Sequence, residues 1–412
     1  MVYRIFHFLV SLASRFYFKK IVIQGSMNIP EKGPVLLICN HPSSFFEAII
    51  LACFQHRTLH FLVRGDMFEK KWLKPILEST YQIPIYRSRD GFEKLRNNIS
   101  TFEICFNKLS EGHAILIFPE GSTLMSRNLR SLQKGAARLA IGSLEAQKIQ
   151  DLMVVPCGMN YSDVLHRGGE VRILMGSSMS VIEFLKNVPV NGDKLSLLTQ
   201  QFYEALDKVV LSAPAEFDKN RFRTLEVIYR NSQSPESFQE TEIHHKLLSK
   251  VAEHKQILND LAADYTREFT SIDSLEFSVQ SSFLKSIMRS VELVTSFILG
   301  IPGIITLGLP LIGAKIFTLK KIKHIEFVPP VRLALSLVLT ILTMLLVGIL
   351  GMIYIGIALT LILVVGIIFS LYIFNHFLNL SLSSRYLFNR RLNLQKRNLL
   401  SIRNQIISIL LN

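Results

Sequence analysis

Residues 35–47 read Val-Leu-Leu-Ile-Cys-Asn-His-Pro-Ser-Ser-Phe-Phe-Glu, and this stretch decides the fold. Its first five residues are apolar and predict a short buried strand, after which a loop exposes His41. Because histidine titrates near neutral pH, an imidazole held at this point can remove the proton of a hydroxyl. Glu47 is the nearest acid that could hold the ring. The spacing of Ser44 and Glu47 also fits a capping box at the start of a helix.

The composition favours a membrane-associated protein with anionic partners. The chain has 412 residues, a net charge of +14 and 49% hydrophobic residues. A basic balance suits nucleic acid, membrane phosphates or phosphorylated substrates, but the apolar content and the lack of nucleic-acid-binding motifs argue against nucleic acid. The four cysteines are widely spaced in apolar surroundings without a Cys-x-x-Cys pair, so neither a metal site nor a disulfide framework is expected.

Short apolar runs alternate with helical periodicity over residues 21–211, which predicts an α/β domain. The candidate strands are residues 35–39, 59–63, 82–86, 114–118, 153–157 and 171–175. Residues 92–109 repeat apolar side chains every three or four positions and predict a helix with one buried face. Residues 1–20 are apolar with few charges and predict an amphipathic helix at the membrane interface.

The C-terminal half contains a membrane region over residues 286–380. Residues 333–374 carry no charged side chain and as a helix would extend roughly 63 Å, about twice the hydrocarbon thickness of a bilayer. They therefore predict two transmembrane helices within 331–376. Residues 293–314 are also uncharged but are interrupted by glycine and proline, which favours a re-entrant hairpin at about 291–314. The basic clusters beside these stretches would then all lie on the cytoplasmic side, with the catalytic domain.

Two polar stretches border the membrane region. Residues 212–285 are rich in charged and amide side chains and predict a connector of solvated helices. Residues 381–412 combine apolar and basic positions and predict a basic amphipathic tail at the membrane surface. His244, His245 and His254 have no acid or cysteine completing a ligand set at helical spacing, so no metal site is expected there.

Three further stretches follow or occupy predicted strands. Arg87 and Arg89 follow a strand end, where they are either phosphate ligands or solvated loop residues. Residues 117–123, Ile-Phe-Pro-Glu-Gly-Ser-Thr, place a glycine beside an acid and two hydroxyls, which suits the close approach of a phosphate. Residues 154–158, Val-Val-Pro-Cys-Gly, form an apolar strand in which Pro156 indicates a sheet edge or a pocket wall.

The order of these motifs resembles the glycerophospholipid acyltransferase family, in the variant with five residues between the histidine and the acid. The resemblance covers roughly residues 22–179 and is most specific in the Phe-Pro-Glu-Gly block at 118–121. Two positions depart from the family pattern. Glu47 stands where aspartate is usual, and Ser122-Thr123 replaces a frequent Thr-Arg, for which Arg127 or Arg130 could stand in.

The resemblance implies a role for each block. His41 would be the general base and Glu47 would hold it. The implied contacts to the substrate phosphate are Arg87, Arg89, Glu120, Gly121, Ser122, Thr123 and Arg127. Val155 and Pro156 would belong to the acyl pocket. No acyl-enzyme is implied, because the chain has no Gly-x-Ser-x-Gly elbow.

The resemblance also implies an architecture and an activity. The fold would be an α/β acyltransferase domain, a mixed sheet flanked by helices, followed by a C-terminal α-helical membrane region. The enzyme would move a fatty acyl group from acyl-CoA or acyl carrier protein to a glycerol phosphate, without a cofactor or metal. Lysophosphatidic acid is the favoured acceptor and glycerol 3-phosphate is the alternative. The partners would be membrane lipids, the phosphorylated acceptor and the thioester donor, including acyl carrier protein where it is the donor.

A non-catalytic reading also stays open. The unusual Glu47 and the displaced arginine fit a lipid-binding membrane protein that keeps the same fold without its activity.

Overall fold

The computed structural model describes residues 2–86, 92–146, 149–215, 217–233, 239–269, 271–387 and 389–411. The chain divides into two compact units. The first comprises Met1–Ser212 and Ile322–Leu333, and the second comprises Ala213–Lys321 and Ala334–Asn412. The stretch at 322–333 was predicted to belong to the membrane region, but in the structure it is part of the first unit.

An eight-stranded mixed sheet forms the centre of the first unit. Its strands are β1 Lys20–Gln24, β2 Val35–Cys39, β3 Leu59–Arg64, β4 Gln82–Ile85, β5 Ala114–Ile117, β6 Met153–Tyr161, β7 Glu170–Met175 and β8 Met179–Ser180. The strand order is β1-β7-β6-β2-β5-β3-β4, with β8 beside β6. β6 is antiparallel to β7 and β8, and the other pairs are parallel. The predicted mixed α/β sheet is confirmed, with β1 and β8 as additions.

Helices cover both faces of this sheet. They are α1 Val2–Tyr17, α2 Phe46–Phe54, α3 Lys74–Ser79, α4 Phe92–Ser110, α5 Gly135–Glu145, α6 Val181–Lys186 and α7 Lys194–Asp207. Alternate residues of β2 enter two different apolar cores. Leu37 lies in one of them and Leu36 lies in the other. Because both faces are covered, all five β2 residues are buried, which explains their continuous apolar run.

Helix α1 packs against α2. Its other face leaves Ile5, Phe6, Phe8 and Leu12 exposed. This exposed apolar face is compatible with the interfacial role predicted for residues 1–20, which stays a prediction.

The parallel strands align the loops that follow them. The carboxyl ends of β2, β5, β3 and β4 meet at one edge of the sheet, where ligands bind in open α/β folds. His41 and Phe118 follow the neighbouring strands β2 and β5 at this edge. The fold therefore brings together two motifs that are far apart in the sequence.

Pro156 lies in an interior strand, so the predicted sheet edge is wrong. Its strand β6 pairs with β2 on one side, while β7 pairs with residues 157–161 and β8 with residues 153–154 on the other. Pro156 therefore falls in the gap between β7 and β8, where its carbonyl accepts a bond from the Gly176 N–H. A missing N–H is tolerated there because no regular ladder partner faces it.

The second unit contains a helical bundle with its own core. The bundle helices are α8 Lys219–Ser232, α9 Glu240–Glu253, α10 Lys255–Thr266, α11 Ile272–Gln280 and α15 Arg390–Leu411. Phe222, Leu258 and Ile406 are fully buried in it. Two predictions are corrected here. The stretch predicted at 212–285 as a solvated connector contributes the packed helices α8 to α11, and the tail predicted at 381–412 contributes the core helix α15. An apolar stripe has the same sequence pattern whether lipid or protein covers it.

Three helices of the described chain are long and apolar enough to cross a membrane. They are α12 Phe283–Lys321, α13 Val328–Tyr354 and α14 Ile357–Ser383. The two helices expected within 331–376 correspond to α13 and α14, which are separated by Ile355 and Gly356. Gly356 has a φ of 81°, a conformation that glycine adopts without steric cost.

Helix α12 is continuous, so the re-entrant hairpin predicted at 291–314 is wrong. Pro302 interrupts the helical bonding of α12, and the Ser370 hydroxyl of α14 inserts beside it. Ser370 accepts a bond from the Gly303 N–H and donates one to the Leu299 carbonyl, both at 2.8 Å. The hydroxyl thus binds a backbone donor and a backbone acceptor of the helical turn at Pro302. Without a chain reversal in α12, the argument that placed all basic clusters on one side no longer holds.

Candidate active site

His41 and Glu47 form a hydrogen-bonded pair after β2. Their Nδ1 and Oε2 atoms are 3.0 Å apart. The Glu47 side chain is 0% exposed and the His41 side chain is 15% exposed, so the pair opens to solvent only at the histidine. Helix α2 begins at Phe46 without a side-chain cap, and Glu47 in its first turn contacts His41. The capping box that Ser44 could have formed is therefore not present.

The His41 ring is also held by Phe118. The two rings stack with centroids 4.0 Å apart and an angle of 11° between their planes. The face of an aromatic ring attracts a cation, so this contact would favour an imidazolium at this position. Because Nδ1 faces Glu47, Nε2 is the nitrogen left to receive that proton.

Backbone contacts fix the loop that carries His41. The buried Asn40 side chain accepts a bond from the Met159 N–H at 2.7 Å and donates one to the Met159 carbonyl at 3.1 Å. The His41 N–H donates to Glu120 Oε2 at 3.1 Å. Asn40 and Glu120 thus attach the loop to β6 and to the segment after β5, which sets the position of the imidazole.

Glu120 is a structural residue of the loop that follows β5. Its side chain is 3% exposed, and Oε2 also accepts a bond from Arg130 Nη2 at 2.6 Å. Its Oε1 accepts the Arg130 backbone N–H at 3.1 Å. Both oxygens are therefore occupied by protein, and the direct phosphate contact predicted for Glu120 is not supported. Arg130 is one of the two arginines that could stand in for the arginine of the family's Thr-Arg. It also donates to Ser122 Oγ at 2.9 Å.

The remaining residues of this loop turn back toward the protein surface. Gly121 has a φ of 69° and donates its N–H to the Phe118 carbonyl at 3.1 Å, which closes a tight turn. Gly121 is exposed, while Ser122, Thr123 and Arg127 are half-buried. Their phosphate contacts stay predictions.

Residues 20–160 match the family model described as Acyltransferase. This part of the chain is an acyltransferase-family domain. It contains the His41–Glu47 pair, the Phe118 to Gly121 block and Pro156.

Two curated relatives extend this comparison. The chain is 26% identical over 261 residues to Glycerol-3-phosphate O-acyltransferase 2 of Saccharomyces cerevisiae, covering 55% of this chain and 33% of the relative. It is 29% identical over 125 residues to the Probable 1-acyl-sn-glycerol-3-phosphate acyltransferase of Mycoplasma pneumoniae, covering 29% of this chain and 44% of the relative. The chain therefore spans less than half the length of these relatives.

One solved structure is similar to part of this chain. It is the crystal structure of the 1-acyl-sn-glycerophosphate (LPA) acyltransferase PlsC from Thermotoga maritima, which matches at 15% identity and a TM-score of 0.37. The match covers 51% of this chain and 81% of that one.

Val155 and Pro156 are interior residues of the acyltransferase domain. Val155 is fully buried in the same apolar core as Leu37, and Pro156 is buried between strands. The acyl-pocket role of these two residues stays a prediction, and both of their side chains are buried. The physical reason is that β6 is covered on both faces of the sheet.

Arg87 and Arg89 lie outside the described residues, so their predicted phosphate contacts stay predictions. Tyr86, which precedes them, borders a cleft of about 440 Å³. Gly65 and Ile83 also line this cleft, beside β3 and β4. The cleft thus opens near the carboxyl edge of the sheet that carries His41.

The segment Ile322–Leu333 packs on the acyltransferase domain beside the motif, and sequence reasoning missed it. The Ser43 hydroxyl donates to the Glu326 carbonyl at 3.3 Å, and the rings of Phe45 and Phe327 lie 6.3 Å apart. Leu333 is part of the core around β2. In the sequence this segment is only a short connection between apolar helices, and nothing in it signals this contact.

Burial controls the ionisation of the groups around His41. Burial raises the pKa of Glu47, while His41, the backbone and the Tyr161 hydroxyl oppose this rise. Burial also raises the pKa of the Cys39 thiol well above its usual value, so Cys39 stays a protonated, inert strand residue. In the described part of the chain, no cluster of three His, Cys, Asp or Glu side chains could hold a metal ion.

Proposed function

We propose that this protein transfers a fatty acyl group from a thioester to a hydroxyl of a glycerol phosphate. The observation that carries the proposal is the 3.0 Å contact between His41 and the buried Glu47 within an acyltransferase-family domain. The relatives are named for glycerol 3-phosphate and 1-acylglycerol 3-phosphate acylation, and both names describe this class of reaction.

In the proposed mechanism the acceptor hydroxyl attacks the thioester carbonyl while His41 Nε2 takes its proton. Glu47 and the Phe118 ring stabilise the resulting imidazolium. The tetrahedral intermediate then collapses, the carbon–sulfur bond breaks, and the leaving thiolate receives the proton from His41. General-base catalysis of this kind contributes roughly 10²- to 10⁴-fold. No covalent enzyme intermediate is needed, since the buried Cys39 thiol stays protonated.

The acceptor phosphate would be bound beside His41 by residues of two loops. We assign this role to Arg87 and Arg89 from their sequence, and to Gly121, Ser122, Thr123 and Arg127 from their place on the loop after β5. Positioning of the two reactants supplies a large part of the rate enhancement in such a bimolecular step. The cleft bordered by Tyr86 is the space we propose for the acceptor.

Two acceptors are candidates. Lysophosphatidic acid, which would give phosphatidic acid, is favoured by the sequence resemblance. Glycerol 3-phosphate is favoured by the yeast relative, whose match extends over 261 residues. The donor would be acyl-CoA or acyl carrier protein, and the cytoplasmic orientation of the domain stays part of the proposal.

The test is an acyl-transfer assay on the full chain in lipid nanodiscs, with each donor, acyl-CoA or acylated acyl carrier protein, and each acceptor in turn. Wild-type protein should acylate one of them, and His41→Ala should abolish the reaction because no base remains. His166→Ala is the matched control, since His166 also pairs with an acid, Asp163 at 2.9 Å, but on the surface. Wild-type activity in His41→Ala would overturn the mechanism. An inactive wild type with both acceptors and both donors would favour a lipid-binding protein instead.

A further inference from the structure

Two buried oxygen atoms beside the active site lack a standard hydrogen bond within the described residues. They are Glu47 Oε1 and Tyr161 Oη. Burial raises the pKa of Glu47, and the Tyr161 hydroxyl is among the groups that oppose this rise. A buried carboxylate oxygen is costly without a donor, and a tyrosine hydroxyl is a suitable donor.

The sheet explains why Tyr161 reaches this position. β2 ends at Cys39, which pairs with Cys157, and β6 continues four residues further along the loop that carries His41. Met159, which binds the Asn40 side chain, is two residues before Tyr161. Side chains two residues apart share one face of a strand, so Tyr161 points toward the core that contains Met159.

The neighbour of Glu47 also touches Tyr161. The rings of Phe46 and Tyr161 are parallel within 4°, with centroids 6.3 Å apart. The end of β6 therefore meets the start of α2 through a ring contact and through the Glu47 carboxylate. Burial and the nearby Glu47 raise the pKa of Tyr161 well above its usual value, so its hydroxyl remains a donor at every physiological pH.

We propose that Tyr161 is a positioning residue that donates a hydrogen bond to Glu47 Oε1 and thereby directs Oε2 at His41. Tyr161 acts only through Glu47. The inference rests on the proposed function, because it assigns Tyr161 a part in the same proton transfer. It extends the His41–Glu47 pair to a third residue, which lies 114 positions beyond Glu47 in the chain.

Tyr161→Phe is the main test, because it removes only the hydroxyl. We expect kcat to fall about 10-fold, the loss that corresponds to one hydrogen bond to a charged group, with KM for donor and acceptor little changed. The acid limb of the pH–rate profile should move to higher pH, because a carboxylate that loses a donor binds its proton more tightly. That limb belongs to the coupled pair of His41 and Glu47.

Tyr17→Phe is the matched control. Tyr17 is buried in the same core and its ring contacts Phe46, but its hydroxyl donates to the Val164 carbonyl at 3.0 Å. This variant should leave the acid limb in place whatever it does to thermal stability. An equal shift in both variants would show a general packing effect and would overturn the proposal.

A double-mutant cycle separates this inference from the proposed function. In a Glu47→Gln background, Tyr161→Phe should have little further effect on kcat, because the two residues act as a unit. Full additivity of the two effects on kcat would overturn the role of Tyr161, and so would an unchanged kcat and acid limb in Tyr161→Phe. In either case an inactive His41→Ala would still uphold the mechanism. An active His41→Ala would instead overturn the proposed function itself.

Discussion

Each unit of this protein buries a glutamate beside a basic side chain and a tyrosine, but the two arrangements differ. In the helical bundle, Glu276 is 1% exposed and accepts bonds from Tyr265 Oη at 2.5 Å and from Arg403 Nε at 3.0 and 3.1 Å. In the acyltransferase domain, Glu47 binds His41 through one oxygen, and its other oxygen lacks a standard bond.

The difference separates an ion pair that stabilises the fold from a pair that is proposed to transfer a proton. Arg403 is charged at every relevant pH and the oxygens of Glu276 are occupied, so that pair has no proton to exchange. His41 carries an imidazole and is partly exposed, so in the proposed mechanism its pair accepts a proton and returns it. Burial alone does not identify an active site. The titratable partner and its access to solvent do.

The largest expected effect concerns the stability of the bundle. Arg403→Leu leaves Glu276 buried without its cation and should lower the free energy of unfolding of the bundle by about 3–5 kcal/mol. Thermal unfolding and limited proteolysis of the full chain would measure this loss, and the specific activity of the folded protein should persist. Adding Glu276→Leu should recover much of the stability, because a matched apolar pair removes the unpaired charge. No recovery would mean that the contact matters mainly through packing.

The next effect concerns activity at the other glutamate. Glu47→Gln should lower kcat about 10²-fold, at the lower end of what a positioned acid–base pair supplies, since the neutral amide cannot stabilise the imidazolium. Glu47→Asp should retain part of the activity because it keeps the charge. The matched control is Glu276→Gln, which should affect stability and leave kcat of the folded enzyme unchanged. A harmless Glu47→Gln would show that Glu47 serves the fold, as Glu276 does.

A smaller effect is expected from the segment Ile322–Leu333. Phe327→Ala removes the ring that contacts Phe45 near the motif, and one aromatic pair contributes about 0.5–1.5 kcal/mol. We expect a several-fold loss of kcat, measured in the acyl-transfer assay, because the loop that carries His41 becomes less ordered. Ile325→Ala is the control, since Ile325 is half exposed on the same segment. Equal losses in both variants would assign the effect to the segment as a whole.

The last effect concerns the pH dependence of stability at His60. Burial, together with the nearby charges of His113 and Lys108, lowers the pKa of His60 from its ordinary 6.5 to about 4. The unfolded chain therefore takes up this proton first, and stability should fall as the pH drops from about 6.5 to about 4. His60→Phe should show a weaker decline of Tm over this range than wild type, whereas His166→Ala should follow wild type. Parallel curves for all three proteins would contradict the assignment.

Much of the acyltransferase domain was predictable because its signals are local. Continuous apolar runs such as 35–39 identify strands that are buried on both faces, and all six predicted strands are present. His41 and Phe118 were predictable because each follows such a strand directly. The contact between His41 and Glu47 was predictable only as one of two alternatives. A glutamate in the first turn of a helix can either cap the helix or contact His41 in the preceding loop.

Other features were not predictable because they depend on which surfaces meet. The apolar stripe of α15 fits a membrane surface and a protein core equally well, and its place in the bundle follows from packing with α8 and α10. Glu120 looked like a ligand contact until the fold brought Arg130 and the His41 N–H to its two oxygens.

By itself the sequence determined six of the strands, the apolar helices α13 and α14 and the candidate base His41, because these depend on residue type and on spacing along a few turns of chain. Only the tertiary structure decided how distant segments meet. It placed Ser370 against Gly303 of α12, Tyr161 beside Glu47, and the segment 322–333 against the motif loop. These contacts join residues about 67 to 283 positions apart, and at such separations local periodicity carries no information on pairing.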